Sequence, residues 1–300
     1  MTTADPPAEA ATPARIGRGS LLSRSPGLRT GILLLPPMLW LGVAYLAALA
    51  ALFVTSLWGQ NDFTGQIERI WTLDNYRLLV DHPVYRTIVF RTIRTAALVT
   101  VVDAVLAFPI ALYMAKVASP RLRRLLVIAV LMPLWASYLV KAYAWRGMLS
   151  QGGLIDWAGK PFGLHSPGYG LTATTITLAY LWLPYMILPI FAGLERVPDS
   201  LFEASGDLGA GALTTLRRVV LPMAFPALVA GSIFTFSLSL GDYIAVQIVG
   251  GAGQLIGTVV YDNVGSANNL PFASALATVP VVVMLVYLAA ARRTGALENL

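Results

Sequence analysis

The chain has 300 residues, 57% of them hydrophobic and only 12% charged, with a formal net charge of +6 and a mean hydropathy of +0.69. Soluble domains carry about 25% charged residues, so this density leaves too little polar surface for water and points to lipid as the solvent. Having no cysteine, the chain is excluded from disulfide, zinc–thiolate and thiol chemistry, and its basic excess flanks apolar runs, as topology signals do, instead of forming a nucleic-acid patch.

Residues 1–30, rich in Ala, Pro, Thr and Arg, read as a disordered, basic cytoplasmic tail. A first span is predicted over 32–57; its apolar stretch exceeds the about 7–15 residues of a signal peptide, so it is read as a retained helix. The following outer loop holds an amphipathic stretch at 73–79, expected as a surface helix. Further spans are predicted over 87–114, 125–144, 171–192, 224–249 and 272–290, each near the about 20 residues needed to cross the hydrocarbon core. The expected fold class is an all-α polytopic membrane protein with six transmembrane helices, its transmembrane domain at 31–293 and a cytoplasmic tail at 294–300. No internal repeat is evident. Pro109, Pro133, Pro184, Pro189, Pro226 and Pro280 fall inside spans, as kinks or as hinges, which membrane helices tolerate when neighbours re-satisfy the freed carbonyls.

Lys and Arg set the expected orientation. With the N-terminus inside, 13 of the 21 fall on the cytoplasmic side, which supports N-in, C-in. Arg86, Arg91 and Arg94 run against the trend by crowding the outer end of the second span. His82 and His165 lie in predicted loops, and no metal site is expected.

The loop between spans four and five, 195–222, carries the most information. Ser200 and Glu203 have the spacing of a capping box, which predicts a short helix starting at Ser200. Gly209 suits the left-handed turn that ends such a helix. A second helix is expected from near Thr214 into Leu221, with Pro222 opening span five. Small residues (Ala204, Ser205, Gly206, Ala210, Gly211) leave room for a partner to approach closely.

Glu203-Ala204-Ser205, then Gly209, then Val219, Leu221 and Pro222 resemble the cytoplasmic pattern of binding-protein-dependent ABC importer permeases. That pattern is Glu-Ala-Ala, three residues, Gly, nine residues, Ile, one residue, Leu-Pro. The departures are Ser205 for the second Ala and Val219 for Ile, one small and one near-isosteric. The resemblance implies a type I ABC importer permease-like fold in a bacterial inner membrane. It also implies that Glu203, Ala204, Gly209, Leu221 and Pro222 form an ATPase-coupling element that docks into a separate subunit. A helix cap alone is the alternative role for Glu203. The phosphate-cradling loop needs Gly, four residues, Gly-Lys and then Ser or Thr. The nearest fragment, Gly159-Lys160-Pro161, fails it. No catalytic residue and no cofactor is therefore expected in this chain, ATP and Mg being bound by the partner.

Ionisable residues inside spans cost about 2.5–3.5 kcal/mol at the centre and are functional suspects. Asp242 and Asp103 stand out, with Lys141 as the comparable base. An Asp beside aromatic faces suits an organic cation; Tyr243, Trp182, Tyr185, Trp135 and Tyr138 are candidates to supply them. Against this, Asp103 has the option of pairing with Lys141 or with a neighbouring subunit, and Trp and Tyr near span ends often serve as interfacial anchors.

Leu73-Asp74-Asn75-Tyr76, Leu240-Gly241-Asp242-Tyr243 with Val249-Gly250-Gly251, and Asn269-Leu270-Pro271-Phe272 are similar to motifs of the spermidine and putrescine permease branch. That branch implies a second, different permease chain, two copies of an ATP-binding subunit and an extracytoplasmic solute-binding protein. The alternatives are a permease for sulfate, thiamine, ferric iron or an opine-like solute. A gradient-driven secondary transporter using Asp103 and Asp242 is a further one.

Overall fold

The computed structural model describes residues 26–61 and 64–293, with side chains from Leu33 onward. The expected tail over 294–300 and most of that over 1–30 lie outside the described residues. Helix α1 (Pro26–Ser56) starts within the segment expected as tail. Up to Ala51 it forms a unit by itself, with Leu33, Met38, Trp40 and Leu46 exposed along it.

The second unit begins at Leu52. A two-residue antiparallel pair, β1 (Gly59–Gln60) and β2 (Ile67–Glu68), precedes the expected surface helix, α2 (Asp74–Asp81). Here Asn75 donates its side-chain amide to the Ser56 and Trp58 carbonyls at 2.9 and 2.8 Å. The hydroxyls of Tyr76 and Ser56 lie 2.7 Å apart. Asn75 and Tyr76 of the 73–76 motif thus anchor the chain leaving α1.

Helix α3 (Pro83–Leu112) ends in a π turn, Tyr113–Val117. Then come α4 (Pro120–Trp135), α5 (Tyr138–Leu149), the short α6 (Leu154–Gly159) and α7 (Leu171–Glu195). In the 195–222 loop lie α8 (Ser200–Asp207) and α9 (Ala212–Thr215), followed by a second π turn, Leu216–Val220, that runs into α10 (Leu221–Gly241). Last are α11 (Ile244–Val249), α12 (Ile256–Gly265) and α13 (Leu270–Arg293).

Among the described residues five helices are long and apolar enough to cross a membrane, or six when the bent α4–α5 pair counts as one. Helices suit lipid because each satisfies its own backbone hydrogen bonds. Two expected spans need correction. The third, 125–144, is not one straight helix: after Pro133 the chain turns by 94° between α4 and α5. The fifth, 224–249, is interrupted at Asp242, whose backbone is extended (φ −70°, ψ 124°). At the second break the side chain of Asp242 itself accepts the N–H of Ala245 at 2.9 Å, so a new helix starts there.

Helices α3, α7 and α10 pack on one another as the centre of the unit. One apolar cluster joins Ala107, Ala111 and Met114 to Met186, Ile190 and Leu194, with Val220 and Ala224. A second joins Val99 to Leu178, Leu181 and Ala245. The small residues of α3 and α10 permit this close approach, which in lipid replaces the hydrophobic effect as the source of cohesion. Buried threonines return their hydroxyls to their own helix, as Thr92 does to Ile88 and Thr100 to Ala96, both at 2.8 Å. The Thr92 hydroxyl also accepts the N–H of Ile256 at 2.9 Å, capping α12.

Candidate functional site

The two helix interruptions meet. Tyr138 is the first residue of α5, and its hydroxyl donates to Asp242 Oδ2. The other carboxylate oxygen, Oδ1, accepts the N–H of Ala245 at 2.9 Å and so starts α11. Asp242 is buried. The Ile244 N–H also points at the carboxylate, which brackets two broken helices and keeps about one of its roughly four lone-pair directions for another donor. Gly257 of α12 presses on the same place: a Cβ there would stand 2.9 Å from the Asp242 carbonyl oxygen and 3.0 Å from that of Gly241.

Aromatic rings surround the bracket. Tyr138 and Trp182 have ring centroids 6.0 Å apart, and Tyr185 follows at 5.9 Å from Trp182. Tyr243 stacks on Tyr261 at 4.9 Å. An open cleft of about 320 Å³ is lined by Tyr138, Trp182, Gly241, Asp242 and Tyr243. The structure thus brings three of the expected aromatics, Tyr138, Trp182 and Tyr243, around Asp242, with Tyr185 behind Trp182. Trp135 is not among the residues lining the cleft; it ends α4 at 92% exposure.

Asp103 stands apart from this bracket. It lies one turn from Val99, which packs with Leu178 and Leu181, and one turn from Ala107, which packs with Met186 and Ile190. That register puts it at the depth of Trp182. The option of a pair with Lys141 is not taken: neither residue enters an ion pair among the described residues. Both Asp103 oxygens, Trp182 Nε1 and the hydroxyls of Thr177, Thr235 and Ser239 are buried without a protein partner, which marks the α3–α7–α10 centre as unusually polar for its depth.

Toward the other end of α3, Arg86, Arg91 and Arg94 line a groove of about 790 Å³ with Phe90, Thr175 and Ile176. Arg91 donates to the Gln254 carbonyl at 3.4 Å. No carboxylate among the described residues pairs with any of the three.

The 195–222 loop folds as a helix–turn–helix. α8 starts at Ser200 as expected, but the capping box does not form: Asp199 holds the N-cap position and no side chain caps it. The backbone carbonyl of Asp199 takes the N–H groups of Phe202 and Glu203 instead. Glu203 is left exposed. Gly209 adopts φ +74°, and the bonds from Gly209 N–H to Gly206 (2.8 Å) and from Ala210 N–H to Ser205 (3.0 Å) complete a Schellman motif. The second helix starts at Ala212, two residues earlier than expected. Ser205, the departure from the family pattern, is buried, and its hydroxyl lies 2.8 Å from that of Thr215, joining α8 to α9. Leu208 beside the turn is 88% exposed and Leu213 60%.

Sequence reasoning missed Tyr261 and the partners of the loop, Lys116 and Arg123. Lys116 Nζ donates to the Val197 carbonyl at 2.6 Å and to Asp199 at 2.8 Å. Arg123 bonds Glu195 at 3.1 Å and the Met114 and Ala115 carbonyls at 3.0 and 2.8 Å. Tyr261 and the two basic residues carried no motif, and the sequence offered no signal for these contacts.

A membrane bundle with interrupted helices and a helix–turn–helix loop between two spans defines the ABC importer permease class. The fold is that of solved members. It resembles a bacterial ABC transporter that imports the acidic polysaccharide alginate, with a TM-score of 0.63 at 16% identity, covering 91% of this chain and 97% of that one. It also resembles the MetNI methionine transporter, with a TM-score of 0.54 at 21% identity, covering 73% and 94%. Residues 85–293 match the family described as binding-protein-dependent transport system inner membrane component, and the chain belongs to that family. Among curated relatives it is 41% identical to the inner membrane ABC transporter permease protein YdcU of Escherichia coli, over 96% of this chain and 98% of that one. It is 30% identical to the spermidine/putrescine permease PotB of the same species, over 77% and 87%. The chain is accordingly an importer's membrane subunit, with ATP hydrolysis housed in another chain; family membership sets aside a gradient-driven carrier.

Proposed function

We propose that this chain forms one half of the translocation pathway of an ATP-driven importer for polyamines of the spermidine and putrescine class. The observation that carries the cargo is the bracket at Asp242. A buried carboxylate with a lone pair to spare, flanked by Tyr138, Trp182 and Tyr243, offers an alkylammonium both charge and π faces. The likeness to PotB points the same way. Asp103 adds a second acidic group at the depth of Trp182.

Orientation is N-in, C-in, which places the 195–222 loop in the cytoplasm. Glu203, Ala204 and Gly209, with Leu221 and Pro222 at the entry to α10, form the element that docks on the ATP-binding subunit. The exposed Leu208 and Leu213 supply apolar surface that water alone would not favour at a loop tip. Two ATP-binding copies with their ATP and Mg, a second and different permease chain, and an extracytoplasmic solute-binding protein complete the assembly. The domain plan is a tail over 1–30, a permease domain over 31–293 and a short tail over 294–300.

One observation favours a second reading. The groove of Arg86, Arg91 and Arg94 faces the proposed entry side and would attract an anionic solute, such as sulfate or an opine-like carboxylate, while repelling a polyamine.

The test is ATPase activity of the purified complex with its binding protein, with and without spermidine. Stimulation that needs both supports the polyamine. Stimulation by an anionic solute, abolished by Arg94→Ala and unaffected by Asp242→Asn, replaces it with the second reading. If no ATP-hydrolysing chain co-purifies, the loop is not a coupling element.

A further inference from the structure

The 195–222 loop is continuous in sequence with α7 and α10, so any displacement of it reaches those helices through the backbone. Helix α3, the third member of the central bundle, has no such link. Beyond the apolar packing of Phe202 and Val220, what joins it to the loop is a polar side chain 81 positions away.

Lys116 sits in the π turn that ends α3, with its side chain only 13% exposed. Its ammonium donates to the Val197 carbonyl at 2.6 Å and to Asp199 at 2.8 Å. It also lies 5.4 Å from the centroid of the Phe202 ring. One cation therefore grips three points around the start of α8. Phe202 also packs into the cluster formed by Met114, Met186, Ile190 and Leu194. The π turn itself is held from its other side by Arg123, which bonds its Met114 and Ala115 carbonyls and reaches Glu195 at the end of α7. The Ser205–Thr215 contact makes α8 and α9 one body, so a push on the exposed Leu208 face moves Asp199 and Phe202 with it.

We propose that Lys116 is a positioning residue of the transport cycle, the latch through which movement of the 195–222 loop is carried into α3. This rests on the loop being the coupling element, and deepens that reading. The pair with Asp199 alone would be weak, since the carboxylate is 81% exposed and exposed ion pairs contribute little. The part that bears force is the charge-assisted bond from a mostly buried ammonium to a main-chain carbonyl, with the aromatic ring beneath it. A π turn is a common place for such a function, because its wider ring leaves the backbone able to shift register.

The experiment uses the complete complex, reconstituted in liposomes with its binding protein, and reads solute taken up per ATP hydrolysed. Lys116→Met keeps the apolar stem and removes the charge; Lys116→Arg keeps the donors. The expected result for Lys116→Met is normal recovery of the ATP-hydrolysing subunit with uptake per ATP reduced by about 2- to 30-fold, the range for breaking one link in a coupling network. Lys116→Arg is expected to restore most of the ratio. A wild-type ratio in Lys116→Met overturns the latch. If the ATP-hydrolysing subunit does not co-purify even with the unaltered chain, the coupling reading fails first, a separate outcome. Should Lys116→Met not assemble, Lys116→Gln takes its place, keeping a polar end on the stem without the charge; a wild-type ratio there also overturns the proposal.

Discussion

Tyr138 and Asp242 stand 104 positions apart, and the hydrogen bond between them closes two interrupted helices on each other. Each residue sits at its own break: Tyr138 opens α5 after the 94° turn, and Asp242 separates α10 from α11. Neither break would be stable in lipid without a partner for the polar groups it frees.

Tyr138→Phe should therefore leave Asp242 Oδ2 buried and unpaired, at a cost of about 1–3 kcal/mol. The expected outcome is a lower melting midpoint of the detergent-purified permease together with reduced uptake. Asp242→Ala, which also uncaps Ala245, should lower both further. Equal melting midpoints for wild type and Tyr138→Phe would show that the bracket is not structural.

Gly209 has φ +74° at the end of α8, a conformation that costs residues with a Cβ roughly 1–2 kcal/mol. Asn tolerates that region better than Ala, and Pro cannot enter it. Uptake should fall in the order Gly, Asn, Ala, Pro at this position, with Gly209→Pro inactive though still present in the membrane fraction. Transport at the normal rate by the proline variant would remove the 195–222 loop from the mechanism.

Gly257 and Gly147 make a matched pair. A Cβ at Gly257 would collide with the Asp242 and Gly241 carbonyl oxygens at 2.9 and 3.0 Å, whereas one at Gly147 meets nothing within 4 Å. Gly257→Ala should displace α12 from the break and abolish uptake. Gly147→Ala, in the last turn of α5, should be tolerated or slightly stabilising, by less than about 1 kcal/mol from helix propensity. Radiolabelled solute uptake by cells expressing each variant decides it.

The Asp199 carboxyl, outside the bilayer, is held below its ordinary value of 3.8, first by its hydrogen bond from Lys116 and then by the charge of that ammonium. A lowered folded-state value means the contribution is fully present above 3.8 and is lost only as pH falls through the lowered value. Between pH 5 and 8 the pair should add no inflection to the profile of stimulated ATPase activity. Asp199→Asn should reduce the amplitude of that profile without changing its shape; an inflection that disappears in Asp199→Asn would contradict the assignment.

The helices and the 195–222 loop were legible for a common reason: both are local. Spans announce themselves as apolar runs of the length that lipid demands, and α3, α7 and α13 appear where those runs lie, with ends shifted by a few residues. Gly209 was readable because a left-handed turn selects for glycine over a few positions. The capping box failed because Asp199, which took the N-cap position, directs its carboxylate to Lys116 instead of to the helix. Asp242 was readable as an anomaly, a costly acid within an apolar run, but not as a bracket.

Composition, the apolar runs and the 203–222 pattern by themselves determined that this is a polytopic helical membrane protein with a helix–turn–helix loop resembling that of importer permeases. Each of those signals is written in neighbouring residues and answers to one solvent. Only the tertiary structure decided where spans three and five break, that Tyr138 completes Asp242, and that Lys116 joins α3 to the loop. Each of the last two rests on a contact between residues 81 to 104 positions apart, which no local periodicity encodes.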